Sequence, residues 1–395
     1  MLARLAELIV RVGANVQPGQ IVTISTELGK EPLTRAIAAA AYRAGARFVD
    51  PIYFDVHVKR ARILHAAAET LDFVPDWYGA RLLALGEQRG ARIALSGPTA
   101  PGLLDDLDPK RLGRDRLPWL KEILELIEAR STNWTVAPCP TQDWASLVHP
   151  ELEDSEALGR LYEELEHVCR LDGDDPVEAW RRRSDALEAV ASRLGERHFD
   201  VLHFEGPGTD LQVGLFPSAR WATARFQTAA GIPHLANVPT EEVFTSPDPE
   251  RTRGAVRSTK PLVLNDGTII RGLEVRFEEG RAVRVEAESG GEVMRGRLAT
   301  DVGASKLGEV ALVDGEGRIG QTGTVFYDTL LDENAASHIA LGDGFGFVLG
   351  EGDAERRNRS AIHIDFMIGG DEVDVTGVTA QGERVPVLRG GSWQI

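Results

Sequence analysis

Cysteine is almost missing: Cys139 and Cys169 are the only two in 395 residues, too few for a disulfide framework and without the C-x-x-C spacing of a zinc or redox motif. That scarcity points to a reducing cytoplasm. No run of 18 apolar residues occurs, so no apolar membrane-spanning helix is expected. Positive charge is also short. Asp and Glu number 61 against 44 Lys and Arg, giving a formal charge of -17. A field of that sign repels phosphate backbones and anionic headgroups, so neither nucleic acid nor a membrane surface is an expected partner. Only six of the basic residues are lysine, a bias ascribed to genome composition from which no function follows.

What is present is 43% hydrophobic and 27% charged residues with 41 Gly and 20 Pro, the profile of a globular chain large enough for two domains. At the start, Leu2, Leu5, Leu8, Ile9 and Val12 fall on one helical face with charges between them, which reads as a docked amphipathic helix and not a signal peptide. Short β-rich runs follow at Ile21 to Ser25, Phe48 to Phe54, Ala91 to Ser96 and Trp134 to Ala137. Helical stretches such as Pro32 to Ala44 and Arg111 to Ala129 separate them. That alternation predicts βαβ units and a mostly parallel sheet. Residues 151–196 predict two amphipathic helices broken by Gly173 and Pro176. Beyond them lie short strands, among them Val201 to Phe204, Leu273 to Phe277, Val310 to Val313 and Ile362 to Met367. The expectation is an α/β N-terminal domain over 1–195 with its bridging helices, and a strand-rich α+β catalytic domain over 196–395.

The chemistry-bearing residues lie in the second half. In Ile362 to Met367 the side chains of a strand alternate, so His363 and Asp365 share a face while Ile362, Ile364 and Phe366 take the other. At about 7 Å between Cα atoms they can converge on one cation, or form the solvated face of an edge strand. A helix is expected from about Glu333 to Leu341, capped at Asp332 and ended by Gly342, with Glu333 and His338 five positions apart on it. That spacing is poorer for a shared ligand than the four-residue spacing of two helical ligands. The Gly-rich stretch after His338 is expected to be a mobile loop and not a phosphate cradle, because it does not link a strand to a helix. Glu241, Glu242 and Glu309 adjoin strand-forming runs that could hold them rigidly. Together Glu242, Glu309, Glu333, His338, His363 and Asp365 supply four carboxylates and two imidazoles, enough for a dinuclear divalent site.

The strings "NVPTEEVFTSP", "LGEVALV", "FYDTLLDENAASHIALG" and "IHIDFMIGGDEVDVTG" closely resemble those of the M29 metallo-aminopeptidases, the thermophilic aminopeptidase T family, and the similarity runs the whole chain. The resemblance implies a cytoplasmic exopeptidase that uses two divalent metals to remove N-terminal residues from short peptides. It also implies a homodimer whose active sites face an internal cavity. It makes Glu242, Glu309, His338, His363 and Asp365 metal ligands, with Glu309 the bridge and Glu333 an additional ligand. Glu242 is favoured over Glu241 by spacing from Glu309, allowing one inserted residue near Asn265 and Asp266, while a shifted alignment would favour Glu241. Either carboxylate could take a proton from the attacking water. The donor set suits Zn, Co or Mn.

One position departs from the family pattern: its catalytic tyrosine falls seven residues after the histidine, where this chain has Phe345. Tyr327, eleven residues before His338, is a candidate substitute hydroxyl donor. Without the tyrosine, His338, His363 and Asp365 also match the two-histidine, one-carboxylate triad of a mononuclear iron ring-cleaving dioxygenase. A non-catalytic metal-binding scaffold is the third reading. Retention of Glu242, Glu309 and Glu333 favours the peptidase, since an iron triad needs no further carboxylates.

Overall fold

Ile21–Glu27, Phe48–Phe54, Ala91–Ser96 and Asn133–Pro138 form one sheet in which every pairing is parallel. The second strand lies at one edge, followed by the first, third and fourth. The edge position explains how Pro51, which has no N–H to give a ladder, is accommodated. The computed structural model describes residues 1–115, 117–264 and 267–395. Asn265 and Asp266, where the sequence comparison allows an insertion, lie outside the described residues.

The opening helix, Leu2–Leu8, runs on as a π turn to Gly13, and Leu5, Leu8 and Ile9 on its apolar face are buried. The helical stretch expected over Arg111 to Ala129 is instead two short helices, Pro109–Arg114 and Glu122–Glu128; Pro118 between them lacks the N–H that a continuous helix needs. The bridging pair is present as Asp154–Val168 and Pro176–Arg197. Pro176 starts the second of these, where no intrahelical N–H bond is lost.

The second half contributes an eight-stranded antiparallel sheet running from Arg281–Glu286 at one edge to Ser392–Trp393 at the other. It also contributes a four-stranded antiparallel sheet of Glu242–Thr245, Leu307–Val313, His338–Gly342 and His363–Met367. The core between these sheets takes Val243, Val310, Leu312, Ile339, Leu341, Ile364 and Phe366. The first-half core is not closed by the first half alone: Leu235, Val238, Ile319, Phe326 and Leu331 fill it from the far end of the chain.

Two sequence expectations change here. The segment from Glu333 to Leu341 is not a helix. A shorter helix covers Thr329–Glu333, capped by Asp328 and not by Asp332, and His338–Gly342 is a strand. His338-Ile339-Ala340-Leu341 pairs with strands on both sides, so alternate burial of Ile339 and Leu341 wins over helical propensity. The Gly-rich stretch that follows is folded. It holds a 3-10 turn at Gly346–Val348 and a short helix at Glu351–Ala354, and its Val348 and Leu349 pack with Phe216 and Phe244.

Candidate metal centre

Register places the donors. Glu309, Ala340 and Asp365 lie directly opposite one another across three strands, as do Phe244, Ala311 and His338. Opposed residues point to one face of a sheet, so Glu242, Glu309, His338, His363 and Asp365 all project from the face opposite the apolar core. The residues between the ligands on that face are Ala311 and Ala340, which leave room for the longer side chains. Close approach of the strands needs glycine at two points. A Cβ on Gly308 would lie 2.2 Å from the Asp343 carbonyl, and one on Gly342 (φ +112°) would lie 2.1 Å from that of Ile362.

The structure brings together all six residues nominated as ligands. Three groups have donor atoms within 4.8 Å of one another: Glu242, Glu309 and His338; Glu309, His363 and Asp365; Glu333, His338 and Asp365. Glu309, His338 and Asp365 each belong to two groups. His338 Nε2 is 3.2 Å from Glu242, and His363 Nε2 is 3.1 Å from Glu309 and 3.3 Å from Asp365. The other ring nitrogens face main-chain oxygens, His338 Nδ1 that of Ala336 at 3.2 Å and His363 Nδ1 that of Asp343 at 2.8 Å. An Nδ1–H donated to a carbonyl fixes the tautomer and leaves the Nε2 lone pair for a cation. No group among the described residues holds both imidazoles, which is the arrangement a mononuclear two-histidine triad requires.

The electrostatics show what the face lacks when only protons balance it. Burial disfavours the His338 imidazolium, yet the Glu242 hydrogen bond and the charges of Glu242, Asp365 and Glu333 outweigh it and raise its pKa to about 10. His363 is likewise raised well above its ordinary value against burial, by Asp365 and Glu309. Burial first, then neighbouring carboxylates, push Glu333 up, and burial does the same to Glu309. Asp365 stays low despite burial because His363 and His338 face it. Two divalent cations would offset four carboxylates charge for charge and return both imidazoles to the neutral, ligating form, so the donor set fits such a pair. Because a raised imidazole pKa means a bound proton at neutral pH, metal uptake is expected to release protons. Apparent affinity should then fall by about tenfold per pH unit for each proton released as pH drops from 8 to 6. Calorimetry with Zn²⁺ in buffers of different ionisation enthalpy measures this; buffer-independent heats and a flat pH profile would contradict it.

Glu241 does not face the donors. It is fully buried, its Oε1 accepts from Arg170 Nη2 at 2.8 Å, and its Oε2 pairs with Arg183. Its own N–H donates to Asn334 Oδ1 at 2.7 Å. The open choice between neighbours thus falls on Glu242 as the residue at the site, and the proton-accepting role considered for Glu241 is corrected to a structural ion triad. Glu241→Ala would leave two largely buried guanidiniums facing each other. It is expected to cost on the order of 3 kcal/mol, read as a lowered urea midpoint; an unchanged midpoint would remove the triad's role.

Sequence reading missed Asn237, whose Nδ2 is 3.5 Å from Glu333 Oε1, and the two carbonyls that orient the imidazoles, for which no sequence signal exists. Phe345 lies beside the donors. Its ring centroid is 5.3 Å from that of His363 and 5.4 Å from those of Phe244 and Phe347, and its N–H donates to Ser246 Oγ at 2.7 Å. Tyr327 sits in a left-handed conformation (φ +53°) with the Arg271 guanidinium 5.5 Å from its ring centroid. Both cysteines are buried and unpaired, and burial pushes the Cys139 thiol up to about 12 and the Cys169 thiol higher still. Among the described residues, neither belongs to a group of converging metal-donor residues.

A family model for thermophilic metalloproteases (M29) matches residues 1–393. The chain belongs to the M29 family. Among its relatives, Aminopeptidase T of Thermus thermophilus is 42% identical, the alignment covering 100% of this chain and 98% of the relative. Aminopeptidase 2 of Geobacillus stearothermophilus is 37% identical, covering 99% and 97%. The solved structure of wild-type AmpT from Thermus thermophilus matches with a TM-score of 0.89 over 100% of this chain and 99% of that one, which bears out the mixed architecture of a parallel and an antiparallel part. A 2,5-dihydroxypyridine dioxygenase from Pseudomonas putida KT2440 shares the fold, at a TM-score of 0.53 and 13% identity over 99% and 96% of the chains. That likeness extends to the fold alone. No helix among the described residues is long and apolar enough to cross a membrane.

Proposed function

We propose that this M29 metalloprotease is a dinuclear aminopeptidase that removes N-terminal residues from short peptides. The observation that carries the reading is the interleaving of donors: Glu309, His338 and Asp365 each join two groups, and the two imidazoles share no group. Relatives named aminopeptidases across the full chain support the exopeptidase activity. Two divalent ions held there, Zn, Co or Mn by the donor set, would polarise a peptide carbonyl and bring a bound water's pKa toward neutrality.

The chain's own residues do the rest. Glu309, which joins two donor groups, would hold and partly neutralise both cations. The Ala336 and Asp343 carbonyls hold the imidazoles in their ligating orientation. Glu242, on the site face, is the carboxylate of the adjacent pair placed to accept a proton from the attacking water. Residues 196–395 then form the catalytic domain, with all six donors, and 1–195 the supporting one. The reading extends to a homodimer in the cytoplasm. Its support is Phe73, Trp77 and Tyr78, which stand exposed together on one segment, apolar surface of the kind a subunit interface covers.

Metal analysis of protein purified without added ions, alongside hydrolysis of di- to tetrapeptides with and without chelator, tests the reading. Two ions per chain and chelator-sensitive release of the N-terminal residue are expected. One iron with ring cleavage would replace it by the dioxygenase, and no ion under metal-replete conditions would leave a scaffold.

A further inference from the structure

Five of the six donors ride on the four-stranded sheet; Glu333 alone comes from the helix Thr329–Glu333. What holds that helix is not the sheet. Its cap, Asp328, reaches into the first half. In the parallel sheet the connection after the first strand runs to one edge and the connection after the third to the other, so the carboxyl ends of Ile21–Glu27 and Ala91–Ser96 flank the crevice where open sheets of this kind take a ligand. Here a carboxylate of the same chain occupies it. Asp328 Oδ2 accepts from the Gly97 N–H at 2.8 Å, Oδ1 lies 3.2 Å from Ser96 Oγ, and the side chain is 6% exposed. Lys30, buried and bonded to the Leu95 carbonyl at 3.0 Å, adds a positive charge facing it.

The same carboxylate accepts from the Leu331 N–H at 3.3 Å and so fixes the first turn of the helix. Trp144 Nε1 donates to the Phe326 carbonyl at 2.6 Å, and Asp332 accepts from the N–H groups of Phe326 and Asp328 at 3.0 and 3.2 Å. Phe326 and Leu331 belong to the first-half core. Five residues of helix carry the backbone only about 7 Å from cap to Glu333, so little slack remains between the clamp and the ligand.

We infer that Asp328 is a positioning residue: by filling the ligand crevice of the parallel sheet it ties Glu333 to the first half of the chain, and the first half thereby sets the geometry of one of the two metal positions. This rests on the two-metal reading proposed above. The test titrates the metal-stripped full chain with ZnCl₂ against a competing chelator, for wild type, Asp328→Ala, Asp328→Asn and Trp144→Phe, with the melting temperature of each metal-free protein recorded alongside. Asp328→Ala is expected to weaken one of the two binding events by about 10- to 100-fold, the range for losing a group that orients a ligand, and to leave the other within about threefold. Asp328→Asn keeps one acceptor oxygen, for either Gly97 or Leu331, and turns its NH2 toward the other, so it should weaken the same event by less than alanine does and leave the other event alone. Trp144→Phe keeps an aromatic ring in a smaller volume, loses the bond to Phe326, and should weaken the same event more mildly; it carries the test if the alanine variant does not fold. Both events unchanged in Asp328→Ala, or both weakened alike in the alanine and asparagine variants, would overturn the inference while leaving the metal centre standing. A wild-type chain that binds no zinc would overturn the metal centre itself and this inference with it.

Discussion

Glu309→Ala should take up one ion where the wild type takes two. Two divalent cations about 4 Å apart repel by roughly 17 kcal/mol at an effective dielectric of 20, and only anionic ligands shared between them offset that repulsion. Glu309 is buried and joins the Glu242–His338 donors to the His363–Asp365 donors. Its loss leaves Asp365 as the other shared carboxylate, grouped on one side with Glu333 and His338, three donors that should retain a single cation. Peptide hydrolysis is expected to fall by roughly 1000-fold or more, the several kcal/mol that a second metal supplies to charge stabilisation. Glu309→Gln separates charge from volume: it keeps the shape, removes the anion, and should fail like alanine. Calorimetric titration with Zn²⁺ decides it, and two unaltered binding events would take Glu309 out of the centre.

The site was legible where its signal was local. His363 and Asp365 stand two apart in an apolar run, and period-two alternation by itself places them on one face. The strands of the parallel sheet were legible for the same reason, since Phe48–Phe54 and Ala91–Ser96 are β-rich runs between helices. Glu333 and His338 do converge with the other nominated donors, but not on the one helix expected to carry both: Glu333 ends a shorter helix and His338 begins a strand. The cap signal at Asp332 competes with an equal one at Asp328, and only pairing with strands on both sides makes His338–Gly342 extended. In sequence, the preference for Glu242 over Glu241 rests on alignment spacing alone, because which one faces the donors depends on where Arg170 and Arg183 meet the chain, about 60 to 70 residues upstream. The clamp at Asp328 was invisible for a stronger reason. Its donors, Ser96 and the Gly97 N–H, lie more than 200 residues away, and a backbone N–H leaves no mark in a sequence.

Phe345→Tyr is expected to raise kcat for an amino-acyl p-nitroanilide by about 100-fold while KM stays within about threefold. By the sequence resemblance Phe345 falls where a catalytic tyrosine is expected, and its surroundings show why the substitution would be read at the proposed centre: its ring packs on the candidate donor His363, Phe244 and Phe347 brace it, and Ser246 accepts from its N–H. A hydroxyl there would donate to the oxyanion that forms when the peptide carbonyl is attacked. One such donor is worth about 3 to 4 kcal/mol, or roughly 100- to 1000-fold. Because that charge develops only in the transition state, the gain belongs in kcat, with ground-state binding nearly untouched. The rival donor is Tyr327, and the structure gives its ring a different employment, against the Arg271 guanidinium in the turn leading to Asp328. Tyr327→Phe should therefore change kcat by less than about twofold. The opposite pattern, a loss of two to three orders of magnitude in Tyr327→Phe with little change in Phe345→Tyr, would move the donor to Tyr327. A chain that cleaves no peptide in either variant when fully metal-loaded would remove the peptidase reading altogether.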